Sequence, residues 1–355
     1  MRQAPFIDAA LSRKVLTVGE YFRDRVHGGI AAVLRSYEPC FQEFQFLASS
    51  RGSSFGNKLR YDLGSLFGLL WRLATRPGIR IVHIHTAAGR SFPKHLVYAA
   101  AARLMGRKVV LHCHASRFRV WFGEQSPSQK RRILSRMRKL DRLVCLSQAW
   151  KDYFVSIGLP EDRVVVLNNI TPEAPAGLPP RVRPPLRLLF LGEIGPRKGV
   201  FDLLETMKGI PEGVMLDIGG NKMEEELRDA IRKGGLGDRV CFHGFVSGDQ
   251  KRQLLSRAHV FVLPSYNEGL PIGILEAMSY GCAVISTPVG GIPEVVTQNG
   301  ILVPPGDVDA LREAILSVTR PGTAEQMGAV SLEKVKPFYP SSVMAALEKM
   351  YRSLL

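Results

Sequence analysis

The chain has 355 residues, about twice the size at which a single hydrophobic core usually splits, so two domains are expected. Hydrophobic residues make up 45% and charged residues 23%, with a mean hydropathy of +0.01, which excludes disordered and collagen-like classes. The uncharged stretch from Ala277 to Pro293 is broken by Ser, Gly and Pro, so no spanning helix of about 20 apolar residues is read.

Residues 1–14 have no apolar core behind their basic residue, and no secretory leader is expected. Five cysteines (Cys40, Cys113, Cys145, Cys241 and Cys282) are scattered without a CxxC pair, which points to a reducing compartment. The net charge is +16, and it is one-sided. Residues 1–175 carry 28 Lys and Arg against 12 Asp and Glu, whereas residues 176–355 carry 20 of each. Such a field calls for a polyanionic partner: nucleic acid, an anionic bilayer or a phosphate-rich substrate.

In chain order, Lys14–Gly19 reads as an opening strand, followed by Gly28-Gly29 and a helix over 30–37. Helical spacing recurs over Asp62–Leu73. Two apolar strands, Arg80–His85 and Lys108–His114, flank a helix from about Pro93 to Met105. A helix over Ser126–Leu140 and a strand over Arg142–Ser147 follow. Strands alternating with helices predict parallel βαβ units. Six prolines between Thr171 and Pro185 then interrupt the pattern, as a linker would. The alternation restarts with short strands at 186–191, 214–218, 240–242, 259–263 and 283–286, and with helices near Val200, Met223, Lys251, Ile274 and Val308.

The densest chemistry lies in Ser265-Tyr-Asn-Glu268-Gly-Leu-Pro-Ile-Gly-Ile-Leu-Glu276. A strand there enters a turn bearing Glu268, and a Gly-Leu-Pro-Ile-Gly segment opens a helix carrying Glu276. Backbone N–H groups at such a helix start suit phosphate, and the two carboxylates suit the hydroxyls of a sugar and a ribose. The bland alternative makes Glu268 a helix cap and Glu276 a solvated position. Upstream, Gly192-Glu-Ile-Gly195-Pro-Arg197-Lys198-Gly199 delivers two cations on a glycine-rich turn. That turn is either a diphosphate site or a basic surface turn.

Together these segments resemble the retaining glycosyltransferases of family four, with motifs from Gly28-Gly29 to Gly300-Ile-Leu-Val-Pro-Pro-Gly306. The resemblance implies an α/β GT-B fold, two Rossmann-like domains facing each other across a cleft. The boundaries expected are 1–172 for the acceptor-binding domain, 173–185 for the linker, 186–336 for the nucleotide-sugar domain, and 337–355 for a C-terminal helix packing back on the first. It also implies roles. Arg197 and Lys198 hold the diphosphate, Glu268 the donor sugar and Glu276 the ribose. The backbone of Leu270, Pro271, Ile272 and Gly273 completes the phosphate cradle, with Gly195 in the preceding turn. Gly28 and Gly29 form a glycine loop over the donor, and Phe245 lies in the turn near the base. His114 sits by the donor sugar and β-phosphate, with His112 as the fallback. Asn168-Asn169 replaces the family's usual Asn-Gly.

His83-x-His85 and His112-x-His114 each place two rings on one strand face, which is also metal-ligand chemistry. No carboxylate or cysteine cluster accompanies them, so they read as cleft or core histidines with ordinary hydrogen bonds, and no metal or other cofactor is expected. Asp307-Val308-Asp309 reads as a helix cap. The expected activity is metal-independent transfer of a hexose from a nucleotide-sugar to a saccharide or lipid-linked acceptor. The expected location is cytoplasmic, peripheral on an anionic inner membrane face, where Ser126–Arg142 supplies charge and Tyr61–Leu73 apolar contact. The alternatives are a nucleotide-sugar epimerase or phosphorylase on the same fold, or a nucleic-acid binder. No zinc-finger or RNA-recognition signature supports the last, and no nucleic acid partner is expected.

Overall fold

The computed structural model describes residues 5–21, 29–50 and 55–355, with backbone alone at 55–59. Gly28 lies outside the described residues. The chain divides into two compact units, 1–170 with 340–355, and 171–339. Each is built on a six-stranded parallel sheet.

The first sheet contains β1 (Val15–Glu20), β2 (Phe46–Ser50), β3 (Ile81–Thr86), β4 (Lys108–Cys113), β5 (Arg142–Cys145) and β6 (Val164–Val166), in the order β2-β1-β3-β4-β5-β6. One face packs on helices Phe55–Thr75, Ser91–Leu104 and Pro127–Met137 through Leu69, Leu73, Phe92, Leu96 and Ile133. The opposite face carries His83, His85 and His112. Tyr37 of helix Gly29–Tyr37 and Tyr351 of helix Pro340–Arg352 pack against these rings. The last helix thereby completes the first unit.

Helix Pro127–Met137 shows how sequence sets a boundary. Ser126 accepts from the Gln129 amide while the Gln129 side chain accepts from the Ser126 amide, and Pro127 needs no partner for a missing N–H. Ile133, Met137 and Leu140 of its apolar stripe are buried. Arg131, Arg132, Arg136, Arg138 and Lys139 are exposed.

The second sheet contains β7 (Leu186–Leu191), β8 (Val214–Gly219), β9 (Val240–Phe242), β10 (Val260–Leu263), β11 (Ala283–Ser286) and β12 (Gly300–Leu302). Its order is β12-β11-β10-β7-β8-β9. The strand sequence therefore reverses between β7 and β10, and a crevice outside their carboxyl ends is the natural ligand position in such a sheet. The proline-rich stretch is fastened to this unit: the Arg181 guanidinium donates to the carbonyls of Tyr280 (2.5 Å) and Gly281 (2.9 Å), and Arg183 pairs with Glu325 at 3.0 Å.

Candidate functional site

Three loops of the second unit meet where the strand order reverses. The loop after β7 continues pairing with β8, Gly192 N–H donating to the Gly219 carbonyl at 3.0 Å and Ile194 N–H to that of Asn221 at 2.8 Å. It then makes one 3₁₀ turn over Pro196–Lys198 and enters helix Val200–Lys208 through Gly199. Gly199 has φ 69°, and a Cβ there would strike the Pro264 carbonyl at the end of β10. Only glycine allows this approach. Tyr266 N–H donates to the Arg197 carbonyl at 2.9 Å, tying the two loops together.

This contact directs the Lys198 ammonium onto the Glu268 carboxylate. The side chains are 14% and 7% exposed, so the pair is largely out of water. Ser265 Oγ donates to the same carboxylate oxygen at 2.7 Å, and Thr287 Oγ1 donates to the Ser265 carbonyl at 2.5 Å. The third loop supports Glu268 from behind. Gly290, at φ 58°, lies against the Glu268 and Gly269 carbonyls where a Cβ has no room, and Gly291 N–H donates to Gly269 at 2.7 Å. Glu268 is therefore an ion-pair partner in a turn; the helix after it is entered through Pro271, with no side-chain cap.

That helix, Ile272–Ser279, brings Gly273 close to the Leu191 carbonyl, where a Cβ would lie 3.6 Å away. Its first turn thus abuts the end of β7, and its leading amides and positive dipole end face the crevice. Leu270 is buried behind it. Glu276 sits one turn in, 13% exposed, with its Oε1 2.5 Å from Lys251 Nζ. Lys251, on helix Gly248–Arg257, was not among the sequence candidates; it lies 25 residues away and carries no local motif.

Arg197 donates to the Asn267 carbonyl at 3.2 Å and stands 3.8 Å from Glu193, which also pairs with Lys222 at 2.8 Å. Gly195 opens the 3₁₀ turn and accepts from Lys198 N–H at 3.1 Å. Phe245, in the turn after β9, is 56% exposed. The structure thus brings Lys198, Ser265, Glu268 and the first turn of helix Ile272–Ser279 together, with Arg197, Glu276 and Lys251 around them. Asp307 caps its helix as expected, accepting from Ala310 N–H at 2.9 Å, while Asp309 pairs with Arg312.

The remaining candidates belong to the first unit. Gly29 begins helix Gly29–Tyr37. His114 follows β4, half-buried, and its Nε2 is 2.9 Å from His85 Nδ1. His112 is fully buried, so of the two only His114 reaches the surface. Burial holds the imidazoles neutral: His83 and His114 are pushed down to about 3, and His85 and His112 lie well below the usual range. The expectation of ordinary hydrogen bonds holds for one nitrogen each of His83, His85 and His114, and fails for His112. His83 Nε2, His85 Nε2, both nitrogens of His112 and His114 Nδ1 are buried with no partner among the described residues.

Two α/β units, each on a parallel six-stranded sheet, define the Rossmann-like GT-B class. The family description "Glycosyl transferases group 1" matches residues 185–320, and "Glycosyltransferase Family 4" matches residues 15–172. The chain belongs to the family-four glycosyltransferases.

Among curated relatives, the amylovoran biosynthesis glycosyltransferase AmsK of Erwinia amylovora is 30% identical over 55% of this chain and 51% of its own length. The 2-deoxystreptamine N-acetyl-D-glucosaminyltransferase of Streptomyces fradiae is 28% identical over 72% of this chain and 69% of its own. The putative colanic acid biosynthesis glycosyltransferase WcaL of Escherichia coli is 28% identical over 56% of this chain and 52% of its own, so the chain spans about half of AmsK and of WcaL. Among solved structures, Anabaena Alr3699/HepE in complex with UDP superposes with a TM-score of 0.73 at 17% identity, covering 96% of this chain and 100% of that one. That likeness fixes the fold.

Proposed function

We propose that the protein is a retaining glycosyltransferase that moves a hexose from a nucleotide-sugar to an acceptor hydroxyl, with no divalent ion on the diphosphate. The observation that carries this reading is the convergence of Lys198, Ser265, Glu268 and the open start of helix Ile272–Ser279 at the crevice between β7 and β10. Solved complexes of HepE with UDP and with UDP-glucose support a nucleotide-sugar donor.

In this reading the helix amides cradle the diphosphate, while Lys198 and Arg197 neutralise its charge as it departs. The backbone of Leu270–Gly273 and the Gly195 turn line the cradle. Glu268 accepts from the donor sugar and Glu276 from the ribose, using the oxygen that Lys251 leaves open. Phe245 flanks the base. From the first unit, His114 serves the sugar and β-phosphate, and Gly28-Gly29 the donor loop. The C1–phosphate bond breaks, the acceptor oxygen bonds C1 on the same face, and the acceptor proton passes to the leaving phosphate oxygen. The enzyme contributes positioning and leaving-group stabilisation.

The acceptor in this reading is a lipid-linked saccharide at an anionic membrane face. No helix among the described residues is long and apolar enough to cross a membrane. Helix Phe55–Thr75 nonetheless exposes Leu63, Phe67, Leu70 and Trp71 in one row. The helix layer it belongs to also carries the exposed arginines of Pro127–Met137. Anionic lipid attracts each nearby Lys or Arg by about 1 kcal/mol. The names of AmsK and WcaL, which speak of amylovoran and colanic acid biosynthesis, support surface polysaccharide as the product class.

The test is direct. Calorimetry against UDP, GDP and ADP, followed by NMR of the product from the matching nucleotide-sugar, should show binding and a retained anomeric configuration. Turnover should persist in EDTA. An inverted product, or loss of turnover in EDTA that magnesium restores, would refute the corresponding part.

A further inference from the structure

We propose that His83, His85 and His112 bind one transition-metal ion of the zinc class inside the first unit. His83 and His85 stand two residues apart on β3 and so share a face. His112 on β4 is the direct register partner of His85. All three side chains are completely buried.

Their hydrogen bonding is asymmetric in a way that points to a ligand. His83 Nδ1 is 2.5 Å from the Tyr351 hydroxyl, and His85 Nδ1 is 2.9 Å from His114 Nε2. Each ring is thus oriented through one nitrogen and presents the other, Nε2, with no partner among the described residues. His112 has neither nitrogen partnered. An outer partner on one nitrogen and a bare second nitrogen is the arrangement that orients metal-ligating imidazoles.

One nitrogen from each ring falls in a group whose members all lie within 4.8 Å of one another. Tetrahedral coordination at 2.0–2.1 Å brings nitrogens to about 3.4 Å, so the rings draw inward on binding. The planes of His83 and His112 are now 6° apart, and one must turn for both lone pairs to meet a single centre. Three imidazoles without carboxylate or thiolate suit zinc, copper, nickel or cobalt, and not magnesium or calcium. The ligands come from two adjacent strands, so the ion pins β3 to β4 beneath helices Gly29–Tyr37 and Pro340–Arg352. This departs from the sequence expectation that no metal binds.

The site is sealed, so loading belongs to folding. The protein, produced without a histidine tag, is unfolded with chelator and refolded with Co²⁺. One Co²⁺ per chain should survive desalting, with visible absorption bands, displacement by Zn²⁺ and a higher melting temperature than metal-free protein. His112→Leu and His83→Asn should each lose the bands and the thermal gain. Retention of less than a tenth of an equivalent of Co²⁺, Zn²⁺, Ni²⁺ and Cu²⁺ alike overturns the proposal, as does undiminished binding in both variants. Should a variant not fold, X-ray absorption of the wild-type Co²⁺ form decides: three imidazole ligands uphold the site, fewer overturn it.

Discussion

The Lys198 ammonium and the Glu268 carboxylate, 70 residues apart in sequence, close on each other at the strand-order reversal of the second sheet. Each therefore holds the other in place inside a largely buried turn. Removing one partner strands the other, at about 3–5 kcal/mol. Lys198→Met and Glu268→Gln should each lower the denaturant midpoint and abolish most turnover. The double variant should lose less stability than the two losses added. Strict additivity in urea titrations would show that the pair is not coupled.

Lys251 fixes Glu276 through a contact that water still reaches, the lysine side chain being 32% exposed. An interaction of about 1 kcal/mol is appropriate there, or about five-fold in affinity. Lys251→Met should weaken nucleoside diphosphate binding by that factor, and Lys251→Arg should restore it. Glu276→Ala should lose more, since it removes the ribose acceptor itself. Calorimetric titrations of the three variants check the order.

Membrane attachment predicts a double requirement. Co-sedimentation should need vesicles with anionic lipid and weaken with salt. It should fall when Arg131, Arg132 and Arg136 become Glu, or when Phe67 and Trp71 (68% and 61% exposed) become Ser. Equal binding to neutral vesicles, or none to either kind, points to a soluble acceptor.

Acid should destabilise both units by the same physics. His95, on helix Ser91–Leu104, is buried between the Ser49 and Thr86 hydroxyls, and desolvation pushes it down to about 3. His259 accepts from Arg187 N–H, and burial with Arg183 and Arg181 nearby pushes it down to about 4. Unfolded, each takes up a proton near pH 6.5 that the fold refuses. Stability is therefore full above pH 6.5 and lost as pH falls below it, about 1.4 kcal/mol per histidine by pH 5.5. Urea midpoints measured from pH 7.5 to 5 should fall, and His95→Gln should flatten the slope.

Much of this was legible in the sequence because the relevant signals are local. β3, β4 and β10 are apolar runs bounded by turns, and the Arg197-Lys198 turn and the Glu268 loop each occupy a few consecutive residues. β6 and β12, three residues each, were not read as strands. β2 was missed because Phe46–Ser50 ends in small polar residues that read as loop. Lys251 was missed for a different reason. Its significance arises only when the fold brings separated segments to one place, as does the pairing of Tyr351 with His83 across 268 residues.

That last pairing also sets an order of events on the ribosome. The second unit is continuous, whereas the first needs residues 340–355 to cover its histidine-bearing face. The unit begun first is therefore finished last. Through the whole synthesis of residues 171–339 its sheet must wait with His83 uncovered, and a nascent chain stalled anywhere in that span is a substrate for chaperones rather than a half-built enzyme.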